Sequence, residues 1–217
     1  MKPKSPGRIH FLFGIGSVIG WYALIAQLYL IIINRITPVP ETIIRYFSFY
    51  TILTNILVAL CFSVSLMKPQ SYWGKFFTRP STVTAITVYI TVVGLVYNQI
   101  LRFTWQPEGM QRLVDELLHS VIPVLFIIYW FLYLSKAGLK WSHAFRWLAY
   151  PFIYIVFILI RGSFSGFYPY PFIDVIALGY SKVFLNGLYL FITFLFISLV
   201  LIWVARMITR KSSTQSV

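Results

Sequence analysis

Of the 217 residues, 59% are hydrophobic and only 11% are charged, and the mean hydropathy is +0.80. A soluble domain carries about 25% charged residues, so this composition excludes an ordinary water-soluble globule and any separate soluble domain. The formal net charge of +13 invites a nucleic-acid partner, yet the basic residues stand at the ends of apolar runs, where lipid headgroups lie. That placement favours a bilayer over nucleic acid.

Taken in chain order, six apolar runs are each long enough to cross a hydrocarbon core of about 30 Å: 9–33, 43–66, 81–101, 114–135, 144–163 and 182–206. The first follows Met1-Lys2-Pro3-Lys4 and exceeds the roughly 7–15 residues of a signal-peptide core, so it is a span. Thr37-Pro38-Val39-Pro40 separates it from the second, which holds the single cysteine, Cys61. One cysteine provides neither a disulfide framework nor a thiolate metal site. Lys68-Pro69-Gln70-Ser71, Arg79-Pro80-Ser81 and Gln106-Pro107-Glu108-Gly109 punctuate the middle of the chain. The aromatic stretch Gly166-Phe167-Tyr168-Pro169-Tyr170-Pro171-Phe172 precedes the last run. A membrane barrel needs alternating segments of about 10 residues, and these runs are long and continuous. The expected fold class is all-α: one domain over 1–217, an integral membrane bundle of six transmembrane helices.

Charge orients that bundle. The tails and the second and fourth connections hold twelve basic and no acidic residues, whereas the other three connections hold six basic residues and all five acids. The positive-inside rule then predicts cytoplasmic N- and C-termini.

Polar residues within the runs gather near the opposite, outer end. Ser48, Thr51 and Asn55 stand at i, i+3 and i+7 of the second run, which places them on one helix face. Asn98, His119, Arg161 and Asn186 lie within about two turns of the outer end of their own runs. Amides and hydroxyls at such depth often serve only as adhesion between membrane helices. His119 stands apart as the one histidine inside a run. Histidine can take up a proton near neutral pH, and Asp115 lies one turn earlier on the same face, where a carboxylate can fix the ring tautomer. A histidine satisfied by interfacial hydrogen bonds is the competing account. Ser48 supplies a hydroxyl at matching depth, and Arg45 and Arg161 can pair with an anionic headgroup or a fatty carboxylate, or simply anchor phospholipid.

Other chemistries lack their residues. His10 and His143 sit at the cytoplasmic ends, which leaves too few membrane histidines for paired haem or metal ligation, and no cofactor is expected. Gly162-Ser163-Phe164-Ser165-Gly166 has Phe164 where a nucleophile elbow needs serine. Neither a phosphate-cradling glycine loop nor an inverted repeat of broken helices is present.

Three stretches resemble the androgen-induced membrane hydrolases, six-span enzymes that cleave fatty acid esters of hydroxy fatty acids with a threonine and a histidine. Arg45-Tyr46-Phe47-Ser48-Phe49 resembles the family's threonine segment, Leu117-Leu118-His119-Ser120 its histidine segment, and Tyr168-Pro169-Tyr170-Pro171-Phe172-Ile173 its loop before the last span. Two departures stand out. The family threonine falls on Ser48, or on Thr51 if the alignment shifts by three, and Pro123 follows His119 by four residues rather than five. The stretch 47–55 resembles a bacterial group described as membrane proteins, which implies the bacterial inner (plasma) membrane. The resemblance implies a lipid ester hydrolase with Ser48, or alternatively Thr51, as nucleophile and His119 as base. Arg45, Asn55, Asn98, Asp115, Arg161 and Asn186 are the expected supporting or substrate-binding residues, and a lipid ester is the expected substrate. The alternatives are a non-enzymatic bundle that binds or transports a lipid or small solute, and an assembly subunit whose protein partners the sequence does not identify.

Overall fold

A computed structural model of the chain describes residues 6–104 and 106–214; the basic tail residues Lys2 and Lys4 and the side chain of Lys211 lie outside the described residues. Every regular element described is helical: α1 (Pro6–Ile33), α2 (Val39–Tyr46), α3 (Tyr50–Met67), α4 (Tyr72–Phe77), α5 (Pro80–Gln99), α6 (Gly109–Glu116), α7 (Ile122–Tyr133), α8 (Ser142–Trp147), α9 (Ala149–Ser165) and α10 (Val175–Thr214). Single 3-10 turns occupy Leu101–Phe103 and Pro171–Ile173, and a π-helical segment, Leu117–Val121, joins α6 to α7. Among the described residues, six helical stretches are long and apolar enough to cross a membrane: Gly7–Ile33, Tyr50–Met67, Pro80–Phe103, Gly109–Tyr133, Ser142–Ser165 and Val175–Arg210.

One sequence expectation changes. The second run does not begin at residue 43 as one continuous helix. Its start is the separate amphipathic helix α2, and the chain breaks at Phe47-Ser48-Phe49. There the N–H groups of Ser48 and Phe49 reach back to the carbonyls of Arg45 and Tyr46, and Phe49 turns extended (φ −80°, ψ 126°). Ser48 therefore lies outside the helix that carries Thr51 and Asn55. A short helical turn from Val175 precedes the last run, and Gly179 (φ 74°, ψ 158°) breaks it from the long helix beyond, which begins close to the expected residue 182.

α3 and α5 form the centre, each with more than half of its apolar stretch buried, and α1, α7, α9 and α10 surround them. A bilayer offers little hydrophobic drive between helices, so close backbone approach and hydrogen bonds must hold them together. α1 meets α3 through Gly16 and Gly20. A Cβ at Gly16 would stand 2.4 Å from the Phe62 ring, and one at Gly20 would stand 3.1 Å from Ala59 Cβ. Elsewhere Trp130 Nε1 donates to Thr84 Oγ1 at 2.9 Å, and Tyr89 O–H donates to the Trp147 carbonyl at 2.8 Å. Thr84, Thr87 and Thr91 return their hydroxyls to the carbonyls one turn back, which lets polar side chains sit inside an apolar helix. Cys61 is fully buried and directs its thiol at the Phe77 carbonyl, 3.5 Å away.

The outward faces are apolar. Phe184, Leu188, Ile192 and Phe196 recur every four residues along α10, all exposed, as are Ile153 and Phe157 on α9. In water such a belt would drive association; against lipid chains it is an ordinary surface.

The α1–α3 contact predicts a graded response to alanine. Gly16→Ala should destabilise by about 1–3 kcal/mol through overpacking against the buried Phe62 ring. Gly14→Ala, whose Cβ meets nothing within 4 Å, should be neutral or slightly stabilising. Thermal unfolding of the two purified variants in one detergent checks the order.

Candidate functional site

The ends of α1, α5 and α9 and the starts of α3, α6 and α10 meet at one end of the bundle, beneath the connections 34–49 and 166–174 and the turn Leu101–Phe103. A cavity of about 690 Å³ opens there, and Thr51, His119, Asp115 and Tyr170 are among its lining residues.

His119 owes its position to a fault in its helix. Pro123 has no N–H to donate. In the π register the Ile122 N–H bonds to the Leu117 carbonyl, and Leu118 would have to be met by the missing Pro123 N–H. Asn55 fills that gap: its Nδ2 donates to the Leu118 carbonyl at 3.2 Å and to the Thr51 carbonyl at 2.8 Å. One amide thus ties the histidine segment to the first turn of α3. Gly94 permits the approach from α5, since a Cβ there would come within 3.2 Å of the His119 carbonyl.

The ring itself is held on three sides. Nδ1 lies 2.9 Å from the Asp115 carbonyl and 3.2 Å from Asp115 Oδ1. Both are acceptors, so in the neutral ring Nδ1 carries the proton and Nε2 is left as acceptor. Nε2 stands 3.3 Å from Thr51 Oγ1. The Tyr97 ring stacks on the imidazole with centroids 4.2 Å apart and planes 16° from parallel. Arg102 lies against the other part of this shell, over the Tyr97 ring, and pairs with Glu116, which also accepts from Ser120 Oγ at 2.8 Å.

Thr51 is the second residue of α3, so its backbone N–H has no partner within the helix. Tyr170 O–H accepts from that N–H at 3.2 Å and also stands 3.3 Å from Thr51 Oγ1. Burial pushes the Tyr170 phenol above its ordinary range, so it keeps its proton and remains a donor. Pro169 and Pro171 flank it and hold its backbone extended (φ −134°, ψ 140°). Phe172 stacks on it at 5.2 Å and Phe49 meets it edge-on at 5.8 Å.

The residues singled out from sequence divide into two groups. Thr51, Asn55, Asp115 and His119 come together. Ser48 does not join them: it is fully buried, its Oγ donates to the Ile44 carbonyl at 2.7 Å, and no hydrogen bond links it to His119. The helix break before α3 turns its hydroxyl back toward α2. Asn55 is occupied by two carbonyls and is a strut rather than a donor aimed into the cavity. Asn98 bonds within its own helix, to the Gly94 carbonyl at 2.8 Å, and Asn186 secures the Phe172 carbonyl at 2.9 Å. Arg45 and Arg161 share Glu41 Oε1, each at 2.8 Å, and their guanidinium carbons lie 4.5 and 5.1 Å from the centre of the Phe167 ring. Of this group only Arg45 lines the cavity.

Sequence reasoning missed the individual roles of Tyr170, Tyr97 and Glu41. The Pro-Tyr-Pro pattern around Tyr170 was the available signal, because a tyrosine locked between prolines is rigidly placed. Among the described residues, no group of three histidine, cysteine or acidic side chains is arranged to hold a metal ion. In comparison with known proteins, no family model, curated protein or solved structure matches this chain.

The Glu41 clamp predicts a pH dependence. The hydrogen bond from Arg45, with Arg161 beside it, holds the Glu41 carboxyl below its ordinary range. A depressed folded value means that the clamp stabilises fully above the unfolded value of about 4.3 and is lost as pH falls through the lower folded value. Thermal unfolding between neutral pH and about pH 3 should show this acid loss, and Glu41→Gln should flatten it while lowering stability at neutral pH.

Proposed function

We propose that this chain is an integral membrane hydrolase of lipid esters, with Thr51 as nucleophile and His119 as general base. The observation that carries this reading is the 3.3 Å approach of Thr51 Oγ1 to His119 Nε2, with Asp115 on the far side of the ring. A threonine hydroxyl is a weak nucleophile until a positioned base accepts its proton, and a third group must hold that base in the correct tautomer. Thr51 therefore takes the role that the resemblance to the androgen-induced membrane hydrolases first assigned to Ser48, in keeping with the alignment shifted by three residues.

The chemistry follows from the contacts. As Thr51 Oγ1 bonds to the ester carbonyl carbon, its proton moves to His119 Nε2, and Asp115 stabilises the imidazolium. The carbonyl oxygen becomes an oxyanion beside the Tyr170 O–H and the positive end of α3. Collapse breaks the bond to the alcohol, which leaves with the proton from His119. Water then attacks the acyl-threonine, gives its proton to His119, and releases the acid as that proton returns to Thr51. A bundle that only binds a lipid or small solute is the second reading. It is favoured by the way Thr51, Asn55 and Tyr170 already bond α3 to its neighbours.

The proposed setting is a bacterial plasma membrane with both tails cytoplasmic and the cavity toward the outer leaflet. Reporter fusions to the two ends should be active only as cytoplasmic reporters; periplasmic activity at either end would reverse or break this orientation.

A fluorophosphonate probe tests the chemistry. Wild-type protein should be labelled and should turn over a lipid ester, and Thr51→Val and His119→Gln should each lower turnover by about a thousandfold or more. Thr51→Ser should keep part of it, and Ser48→Ala at equal folded yield should keep most. Loss in Ser48→Ala with full activity in Thr51→Val would return the role to Ser48, and an unlabelled, inactive wild type would favour the binding bundle.

A further inference from the structure

A second, smaller cavity of about 70 Å³ lies between α5, α9 and α10, open along part of its length. Its walls are almost entirely carbon, with Val93, Val96, Ile155, Leu190 and Phe191 among them. Four residues line both this crevice and the larger cavity: Thr51, Leu101, His119 and Tyr170. The proposed reacting groups thus form the waist between an apolar compartment and a polar one.

The two compartments differ as the two parts of a lipid ester do. The larger cavity carries Arg35, Asn34, Gln111 and Asp115 and suits a hydrated or charged group. Among the described residues that line the crevice there is no lysine, arginine, aspartate or glutamate to receive one. At about 10–15 Å³ per water-sized group, its volume of about 70 Å³ has room for roughly five such groups, enough for a short stretch of hydrocarbon. Its α10 wall is one helix thick, with Leu188 and Ile192 exposed on the outward side. A gap remains at Gly187, where an added Cβ would meet nothing within 4 Å.

Resting on the hydrolase reading, we propose that this crevice is the acyl-chain subsite. The chain of the ester slides in from the bilayer beside Gly187, its carbonyl stops at Thr51, and the alcohol part projects into the larger cavity. About the first five carbons are gripped by protein, and the remainder of the chain stays among the lipid tails. Selectivity is therefore steep among short chains and flat among long ones.

Two probes test the subsite on the full chain in nanodiscs: p-nitrophenyl esters from acetate to decanoate, and a saturated fatty acid carrying a diazirine near its fifth carbon. The variants are Gly187→Trp and Leu190→Trp, each first matched to wild type in thermal unfolding so that a filled crevice is compared with an open one. In wild type, turnover should climb from acetate to about hexanoate and then level off, and photolabelling should map to Val93, Val96 or Phe191. Gly187→Trp should lower the hexanoate-to-acetate ratio by about tenfold and abolish photolabelling at those residues. An unchanged ratio and unchanged photolabelling in both folded variants would overturn the subsite while leaving the hydrolase reading intact. Crevice labelling that the tryptophan abolishes, with no ester turned over, would support the subsite as a fatty-chain site and remove the hydrolase reading.

Discussion

The site depends on one missing backbone hydrogen. Within an apolar helix every carbonyl needs a partner, and Pro123 withdraws the one that would reach Leu118 in the π register. The local winding changes, Asn55 supplies the substitute donor from α3, and the histidine segment is fixed to the helix that carries Thr51. The approach of Thr51 to His119 then needs no mobile loop. It follows from how two packed helices satisfy their main chains, with Gly94 clearing the space on α5.

Much of the fold was legible because lipid leaves few options. An apolar run of about 20 residues must satisfy its backbone internally, and a helix does so. What the pattern concealed were the interruptions. Phe47-Ser48-Phe49 is as apolar and aromatic as its flanks, so hydropathy runs through a place where the chain turns. Gly179 looks like an isolated glycine ahead of the last run, yet its positive φ marks a break between a short helical turn at Val175 and the long helix that follows. The pair Gly16 and Gly20 was present as a spacing of small residues, but its meaning depends on Phe62 and Ala59 lying opposite, which one chain read in one dimension does not reveal.

The candidate site was legible in its depth and less so in its pairings. His119 with Asp115 follows from one helical turn, a local relation. Thr51 against Ser48 depended on the helix break, and Tyr170 depended on a loop returning more than a hundred residues later to the start of α3. The charged residues show the same limit. Arg45 and Arg161 looked available to a headgroup, yet Glu41 engages both and Phe167 lies beside both. A carboxylate four residues from Arg45 was visible; its contact with Arg161 across the bundle was not.

The burial of Cys61 has a practical consequence. The only thiol in the chain is sealed between α3 and the Phe77 carbonyl, out of reach of aqueous reagents while the bundle is intact. Such burial should keep this thiol from maleimides until the bundle opens, so its labelling would time the loss of the α3–α4 contact. A cysteine introduced at any exposed position would stand as the one reactive handle for spin labels, dyes or distance measurements, without first deleting a native residue from the core.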